Sequence, residues 1–164
     1  MQKKKEEELI KDVKTIKNKI VEKEPKPFGF KDVIHSFFGS LIFGITFALK
    51  GLLIEVALLL TKVHQILIVV STLIILTGEI YFFGYARVKI KKERKFFQFW
   101  LKRLITFYLI AILVSFFIIY VYGLTDLPAV GNNIKNILKL VAVISMPAAI
   151  GAGLADLVKR YRYG

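Results

Sequence analysis

The chain has 164 residues, of which 55% are hydrophobic, and it carries a formal net charge of +13 with a mean hydropathy of +0.58. A soluble domain of this length lacks the core volume to bury so much apolar surface, so the composition excludes an ordinary soluble protein. The absence of cysteine excludes disulfides, cysteine-ligated zinc, iron–sulfur clusters and thiol catalysis. The apolar and charged residues are separated along the chain, which is typical of a membrane protein.

Residues 1–27 predict a charged cytoplasmic helix followed by a proline linker. Four apolar residues recur at spacings typical of an amphipathic helix or a short coiled coil: Leu9, Val13, Ile16 and Ile20. Neither Pro25 nor Pro27 can donate a backbone hydrogen bond, so the helix ends before them. Because so short a helix is marginal alone, the apolar seam predicts a partner: another subunit, the protein's own loops or the membrane surface. The alternative is a solvated helix without a partner.

Four apolar segments follow, and each is long enough to cross the roughly 30 Å hydrocarbon core of a bilayer. The predicted membrane helices cover about 33–60, 63–85, 104–122 and 137–158. The first is too long unless it is tilted or broken, and a break would fall at Gly51 beside Lys50. Pro147 removes a backbone donor from the fourth helix, so a kink is expected there. The sequence thus predicts an all-α polytopic membrane domain over residues 28–164.

The distribution of lysine and arginine predicts the orientation of the helices. Of the 25 basic residues, 21 lie before the first helix, in the 86–103 connection, or after the fourth helix. The connections on the other side contain only Lys62, Lys135 and Lys139. Since positive charge favours the cytoplasmic side, we expect four crossings of the plasma membrane with both termini in the cytoplasm.

Polar side chains inside the predicted membrane helices are candidates for function, because a charge in lipid is costly. The candidates are Glu79, His35, Asp156, Lys50 and Glu55. By depth, Glu79, His35 and Asp156 share the cytoplasmic half of the membrane. We expect Glu79 to face the bundle interior, where His35 or a basic residue of the inner loop approaches it. This arrangement would form an ion or proton relay; the alternative is one structural hydrogen bond or ion pair.

The remaining polar candidates have simpler interpretations. Asp156 can pair with Lys159 or Arg160, one helical turn further along the chain. Lys50 and Glu55 are expected to extend to the outer interface, because long side chains can reach water along an apolar surface.

Small residues form a second pattern of interest. Ser40, Gly44 and Ala48 repeat at every fourth position of the first helix, and Gly151 and Gly153 lie in a stretch of small residues in the fourth. Such spacing allows helix backbones to approach closely in lipid, which predicts tight helix packing or oligomerisation. The alternative is a glycine-lined permeation path or a hinge, with Pro147 beside it.

The segment 87–103 alternates basic and aromatic residues. A nucleic-acid interface is conceivable, but the pattern favours a cytoplasmic loop that binds anionic lipid head groups and places its aromatic rings at the membrane interface. No sequence motif of a catalytic, nucleotide-binding or calcium-binding site is present. The two histidines, His35 and His64, are predicted on opposite sides of the membrane. We therefore expect neither enzyme activity nor a cofactor or metal site.

Three segments carry a resemblance to known proteins: Asp32–Lys50 with its Gly39 and Gly44, Glu79–Lys89 (EIYFFGYARVK) and Met146–Asp156 (MPAAIGAGLAD). In residue type and in their order along the chain, these segments resemble a family of small uncharacterised prokaryotic membrane proteins found in archaea and some bacteria. The resemblance implies four membrane helices and supplies no activity.

Two functional hypotheses follow. The first is a small oligomeric ion channel or transporter subunit in which Glu79 binds the ion, with a homo-oligomer expected because four helices bury little surface by themselves. The second is a structural or accessory membrane protein that recruits a cytoplasmic partner through its N-terminal helix.

Overall fold

The computed structural model describes residues 10–15, 28–85, 96–131 and 133–163, and its regular elements are helical. The segment 10–15 is helical and lies within the predicted N-terminal helix. The rest of that helix, its proline linker and most of the predicted lipid-binding loop lie outside the described residues. From residue 30 onward the elements are α1 (Phe30–Ala48), α2 (Gly51–Leu59), α3 (Lys62–Glu79), a π-helical turn (Ile80–Tyr85), α4 (Phe96–Val121), a 3-10 turn (Leu124–Asp126) and α5 (Ile134–Tyr163).

Four helices of the described chain are long and apolar enough to cross a membrane. They lie at Phe30–Ala48, Lys62–Phe82, Trp100–Val121 and Ile134–Val158. The prediction of an all-α protein with four such helices is confirmed.

The structure has two helices where the sequence predicted a single one over 33–60. α1 ends at Ala48, and Lys50 adopts an extended backbone (φ −81°, ψ 105°) before α2 begins at Gly51. The chain therefore breaks at the expected position. α1 has 19 residues and spans about 28 Å, whereas α2 has nine residues and spans about 14 Å, too little to cross a bilayer.

α3 with its π turn covers Lys62–Tyr85, close to the predicted 63–85, whereas the last two helices extend beyond the predicted apolar segments. α4 begins at Phe96 instead of near 104, and α5 covers Ile134–Tyr163 instead of 137–158. An apolar run shows only the part of a helix that lies in hydrocarbon, so the turns that continue into the charged border were missed. α5 continues as a helix through Pro147.

Local signals explain where helices begin and turn. The Asp32 carboxylate accepts a 2.7 Å hydrogen bond from the Gly29 amide at the start of α1. The Asn133 side chain accepts one of 3.0 Å from the Lys135 amide at the start of α5. After α4, Gly123 adopts the left-handed backbone conformation (φ 60°) that glycine tolerates best.

α5 is the central helix of the bundle. It packs against α1, α2, α3 and α4, and 56% of its most apolar stretch is buried, against 17% for α3. The buried apolar side chains form two clusters, one around Val114, Ile118 and Ile144 and the other around Phe107 and Ala148. α3 is therefore a peripheral helix attached to the central one.

A close helix contact joins α1 to α5 at two glycines. A Cβ atom added to Gly39 would collide with the Gly151 carbonyl oxygen, and one added to Gly151 would collide with the Gly39 carbonyl oxygen. One turn away, the Ser40 hydroxyl donates a 2.6 Å hydrogen bond to the Ala148 carbonyl oxygen. These pairs run in opposite directions along the two helices, so α1 and α5 are antiparallel.

Gly151→Ala is expected to destabilise the protein by about 1–3 kcal/mol, the usual cost of overpacking a well-filled core. The added Cβ would also lie 2.8 Å from the Phe43 Cβ, so backbone has to move. Thermal unfolding in detergent measures the change. Gly78→Ala is the control, because a Cβ there meets no neighbouring atom within 4 Å and alanine is the better helix former. Equal melting temperatures for the two variants would contradict the close α1–α5 contact.

Candidate functional site

The polar side chains of interest gather at one end of the bundle. At this end α1 begins, α3 passes into the π turn, α4 begins and α5 ends. We call it the basic end, because the lysine- and arginine-rich segments of the sequence adjoin it. α2 and the connection between α4 and α5 lie at the opposite end.

A buried ion pair joins α4 to α5 at the basic end. The Arg103 guanidinium donates a 2.7 Å hydrogen bond to Asp156, and the two side chains are 4% and 9% exposed. The Phe28 ring lies 5.1 Å from the Arg103 guanidinium carbon and packs edge-on against Phe107. Arg103 therefore has a carboxylate on one side and an aromatic face on the other, both of which stabilise a cation that has lost its water.

The simpler interpretation of Asp156 from the sequence is a local pair with Lys159 or Arg160. The partner that the structure shows is Arg103, which is 53 residues away in the chain and on a different helix. The side chains of Lys159 and Arg160 lie outside the described residues.

Glu79 ends α3 immediately before the π turn and faces the central helix. A Cβ atom added to Gly153 would collide with the Glu79 Oε2 atom and would lie 3.0 Å from its Cδ. The carboxyl group therefore occupies a notch on α5 that exists because residue 153 has no side chain. Its Oε2 atom is buried and has no hydrogen-bond partner in the described part of the chain.

The notch and the ion pair share one face of α5. Gly153 and Asp156 are three residues apart, so their positions are neighbours on the helix surface. Nearby, the Trp100 indole N–H donates a 3.1 Å hydrogen bond to the Thr77 hydroxyl and ties α4 to α3. The same end of the bundle thus holds two carboxyl groups and one guanidinium group, which we call the carboxyl cluster: Glu79 on α3, Asp156 on α5 and Arg103 on α4.

His35 does not approach Glu79 as the sequence analysis expected. It is exposed, and its Nδ1 atom lies 2.6 Å from the Lys31 carbonyl oxygen, to which the tautomer protonated at Nδ1 donates. The buried face of α1 includes the neighbouring Ser36, and one residue along a helix corresponds to a turn of about 100°. His35 lies near the start of α1, at the same end of the bundle as Glu79, but its side chain is on the exposed face of the helix.

The remaining polar candidates lie at the opposite end. Lys50 is exposed with its Nζ atom 5.3 Å from the Phe47 ring centre, and Glu55 is exposed on α2. Neither lies near the carboxyl cluster. The extension of these two side chains to the outer membrane interface stays a prediction.

The small residues singled out in the sequence pack within one subunit. Ser40, Gly44 and Ala48 are buried on one face of α1. Gly151 meets α1, whereas Gly153 receives the Glu79 carboxyl group. These positions therefore do not line an open surface of the subunit.

Lys139 makes a structural contact that the sequence did not predict. Its Nζ atom donates a 2.7 Å hydrogen bond to the Leu58 carbonyl oxygen and so caps the carboxyl end of α2. Ala57 is fully buried beside it. Two signals could have indicated this contact. One is a lysine within an apolar helix, and the other is a short helix opposite it whose last carbonyl groups lack partners.

Four helices long and apolar enough to cross a membrane define the class of protein as a polytopic α-helical integral membrane protein. The chain belongs to the family described as "Putative integral membrane protein (DUF2391)", whose family model matches residues 1–158. The resemblance to a family of small uncharacterised membrane proteins is thereby confirmed. No curated protein and no solved structure matches the chain.

Asp156→Asn is expected to destabilise the protein by about 3–5 kcal/mol, because it leaves the Arg103 charge buried without its carboxylate. Replacing both partners, Arg103→Met with Asp156→Leu, should recover most of the loss, since no charge then remains buried. Thermal unfolding in detergent compares the variants, with Asp126→Asn in the exposed connection as control. An Asp156→Asn protein as stable as the parent would show that the ion pair contributes nothing.

Proposed function

We propose that the protein is a subunit of a small oligomeric ion channel or transporter in which Glu79 is the ion-binding residue. The observation that carries this proposal is the buried Glu79 oxygen without a hydrogen-bond donor in the described chain. An ionised carboxylate in such surroundings is strongly disfavoured unless a cation neutralises it. These surroundings support the proposal that the Glu79 carboxyl group exchanges a cation.

The π turn beside Glu79 supports the proposal. Single π-helical turns within longer helices are rare and occur frequently at functional sites. Here the turn Ile80–Tyr85 starts directly after the carboxylate and extends α3 to the basic end. The helix that carries the carboxyl group is also the least buried of the four.

The interior of one subunit argues for an assembly. Between the carboxyl cluster and the opposite end, the described core consists of the two apolar clusters. Its buried hydroxyl groups at Ser40, Thr72, Ser115 and Ser145 donate to backbone carbonyl oxygens. An ion would therefore pass along an interface between subunits, and the lightly buried α3 offers the surface for one.

The orientation and the lipid contacts belong to the same proposal. The charge distribution supports a plasma-membrane protein with both termini in the cytoplasm. Exposed Lys31 and Lys102 at the basic end extend the positive surface expected for the 87–103 segment, which suits anionic lipid head groups.

Glu79→Gln is expected to abolish ion flux in liposomes while the protein still folds, because the amide keeps the shape of the side chain but cannot exchange a cation. Flux of protons, Na⁺ and K⁺ is measured on the reconstituted full chain. Glu55→Gln is the matched control, since Glu55 is exposed at the opposite end. Undiminished flux in Glu79→Gln would exclude Glu79 as the ion-binding residue. An accessory protein would instead tolerate this change and lose its partner when residues 1–24 are deleted.

Single cysteines test the orientation, because the parent chain contains none. A membrane-impermeant maleimide should label Ala129→Cys in intact cells and Lys31→Cys only after permeabilisation. Both positions are exposed and lie at opposite ends of the bundle. Labelling of both from one side would contradict the four crossings, and reversed labelling would invert the orientation.

A further inference from the structure

We propose that the ion bound at Glu79 is a proton, and that Gly153 provides the notch that receives the neutral carboxyl group. This inference rests on the proposed function, because it names the ion that the same site binds. The structure supports it in three respects: the ligands around the site, the charges that face it and the shape of the notch.

The surroundings of Glu79 do not suit a metal cation. Hard cations such as Ca²⁺ and Mg²⁺ take about six oxygen ligands or more. In the described chain, no group of three His, Asp or Glu side chains lies close enough to hold a metal ion. The surface beneath the carboxyl group is the backbone of α5, whose carbonyl oxygens bond within the helix. A proton needs only the carboxyl group itself.

The charges at the basic end favour one neutral carboxyl group. On the elements packed against this end of α3, the described charged groups are Asp156 on α5 and Arg103 and Lys102 on α4, and the π turn adds Tyr81. Lys102 and Tyr81 are exposed, whereas Arg103 is buried and bonded to Asp156 at 2.7 Å. With both carboxyl groups ionised, the carboxyl cluster has a net charge of −1. One bound proton makes it neutral, which is the state that hydrocarbon favours.

The notch at Gly153 holds the carboxyl group of Glu79 in its buried position. A Cβ atom there would collide with the far end of the flexible Glu79 side chain and not with backbone. Gly153→Ala therefore expels the carboxyl group while the helices keep their packing. Gly151 differs, since its Cβ would meet the backbone of α1. Residue 153 thus acts as a positioning residue, and its size decides whether the carboxyl group lies inside the bundle.

Infrared difference spectroscopy on the full chain in lipid tests the inference directly. On acidification, the carbonyl stretching band of a protonated carboxylic acid should appear, be lost in Glu79→Gln and persist in Glu55→Gln. In Gly153→Ala the band should shift, because the carboxyl group has left the notch. Exchanging Na⁺ for K⁺ at constant pH should leave the band unchanged. A band that responds to the metal cation, or that survives in Glu79→Gln, overturns the inference.

Flux in liposomes separates this inference from the proposed function. Proton flux driven by a potassium diffusion potential, followed with a pH-sensitive dye, should be lost in Glu79→Gln. Flux of Na⁺ or K⁺ without a Glu79 carboxylic acid band would keep the transport proposal and overturn the proton assignment. A Glu79 band without flux of any ion would overturn the transport proposal and keep the proton site.

Discussion

The contact between α1 and α5 at Gly39 and Gly151 sets the rotation of the central helix, and the rest of the bundle depends on that rotation. In lipid the hydrophobic effect does not drive helices together, so close backbone approach and interhelical hydrogen bonds must do so. Both are present here, since the Ser40 hydroxyl bonds to α5 one turn from the glycine contact. Two residues along a helix correspond to about 200°, so Gly153 points away from α1 when Gly151 points toward it. Gly153 therefore faces α3, and the Glu79 carboxyl group occupies the space that a side chain at residue 153 would fill.

The same rotation explains the buried ion pair. Asp156 lies one turn beyond Gly153, on the side of α5 that meets α4, where Arg103 reaches it. A buried ion pair adds little net stability over apolar residues, but it strongly penalises arrangements that separate its partners. Phe28 covers the guanidinium group and packs on Phe107, so the chain that enters α1 also excludes water from the pair.

The sequence was sufficient for the features that follow from hydropathy and local chemistry. Apolar length predicted the four membrane helices. Lys50 beside Gly51 marked where a break would fall, but the sequence also allowed one tilted helix, and the structure has the break. Contacts that depend on the relative rotation of distant helices could not be predicted in this way. Depth alone placed His35 beside Glu79, although His35 lies about 100° from the buried face of α1. The partner of Asp156 was missed for the same reason, because local spacing offered closer basic residues than Arg103.

The position of Glu79 between the central helix α5 and the peripheral helix α3 affects how α3 is held. The Trp100–Thr77 hydrogen bond and the Glu79–Gly153 contact both attach α3 at the basic end. Neither the helix rotation set by Gly39 and Gly151 nor the ion pair involves α3, so α3 can shift without breaking them. A charge on the Glu79 carboxyl group opposes its burial against α5, and a neutral carboxyl group removes that opposition. Under the proposed function, binding and release of a cation at Glu79 would therefore act on α3, the least buried of the four membrane helices.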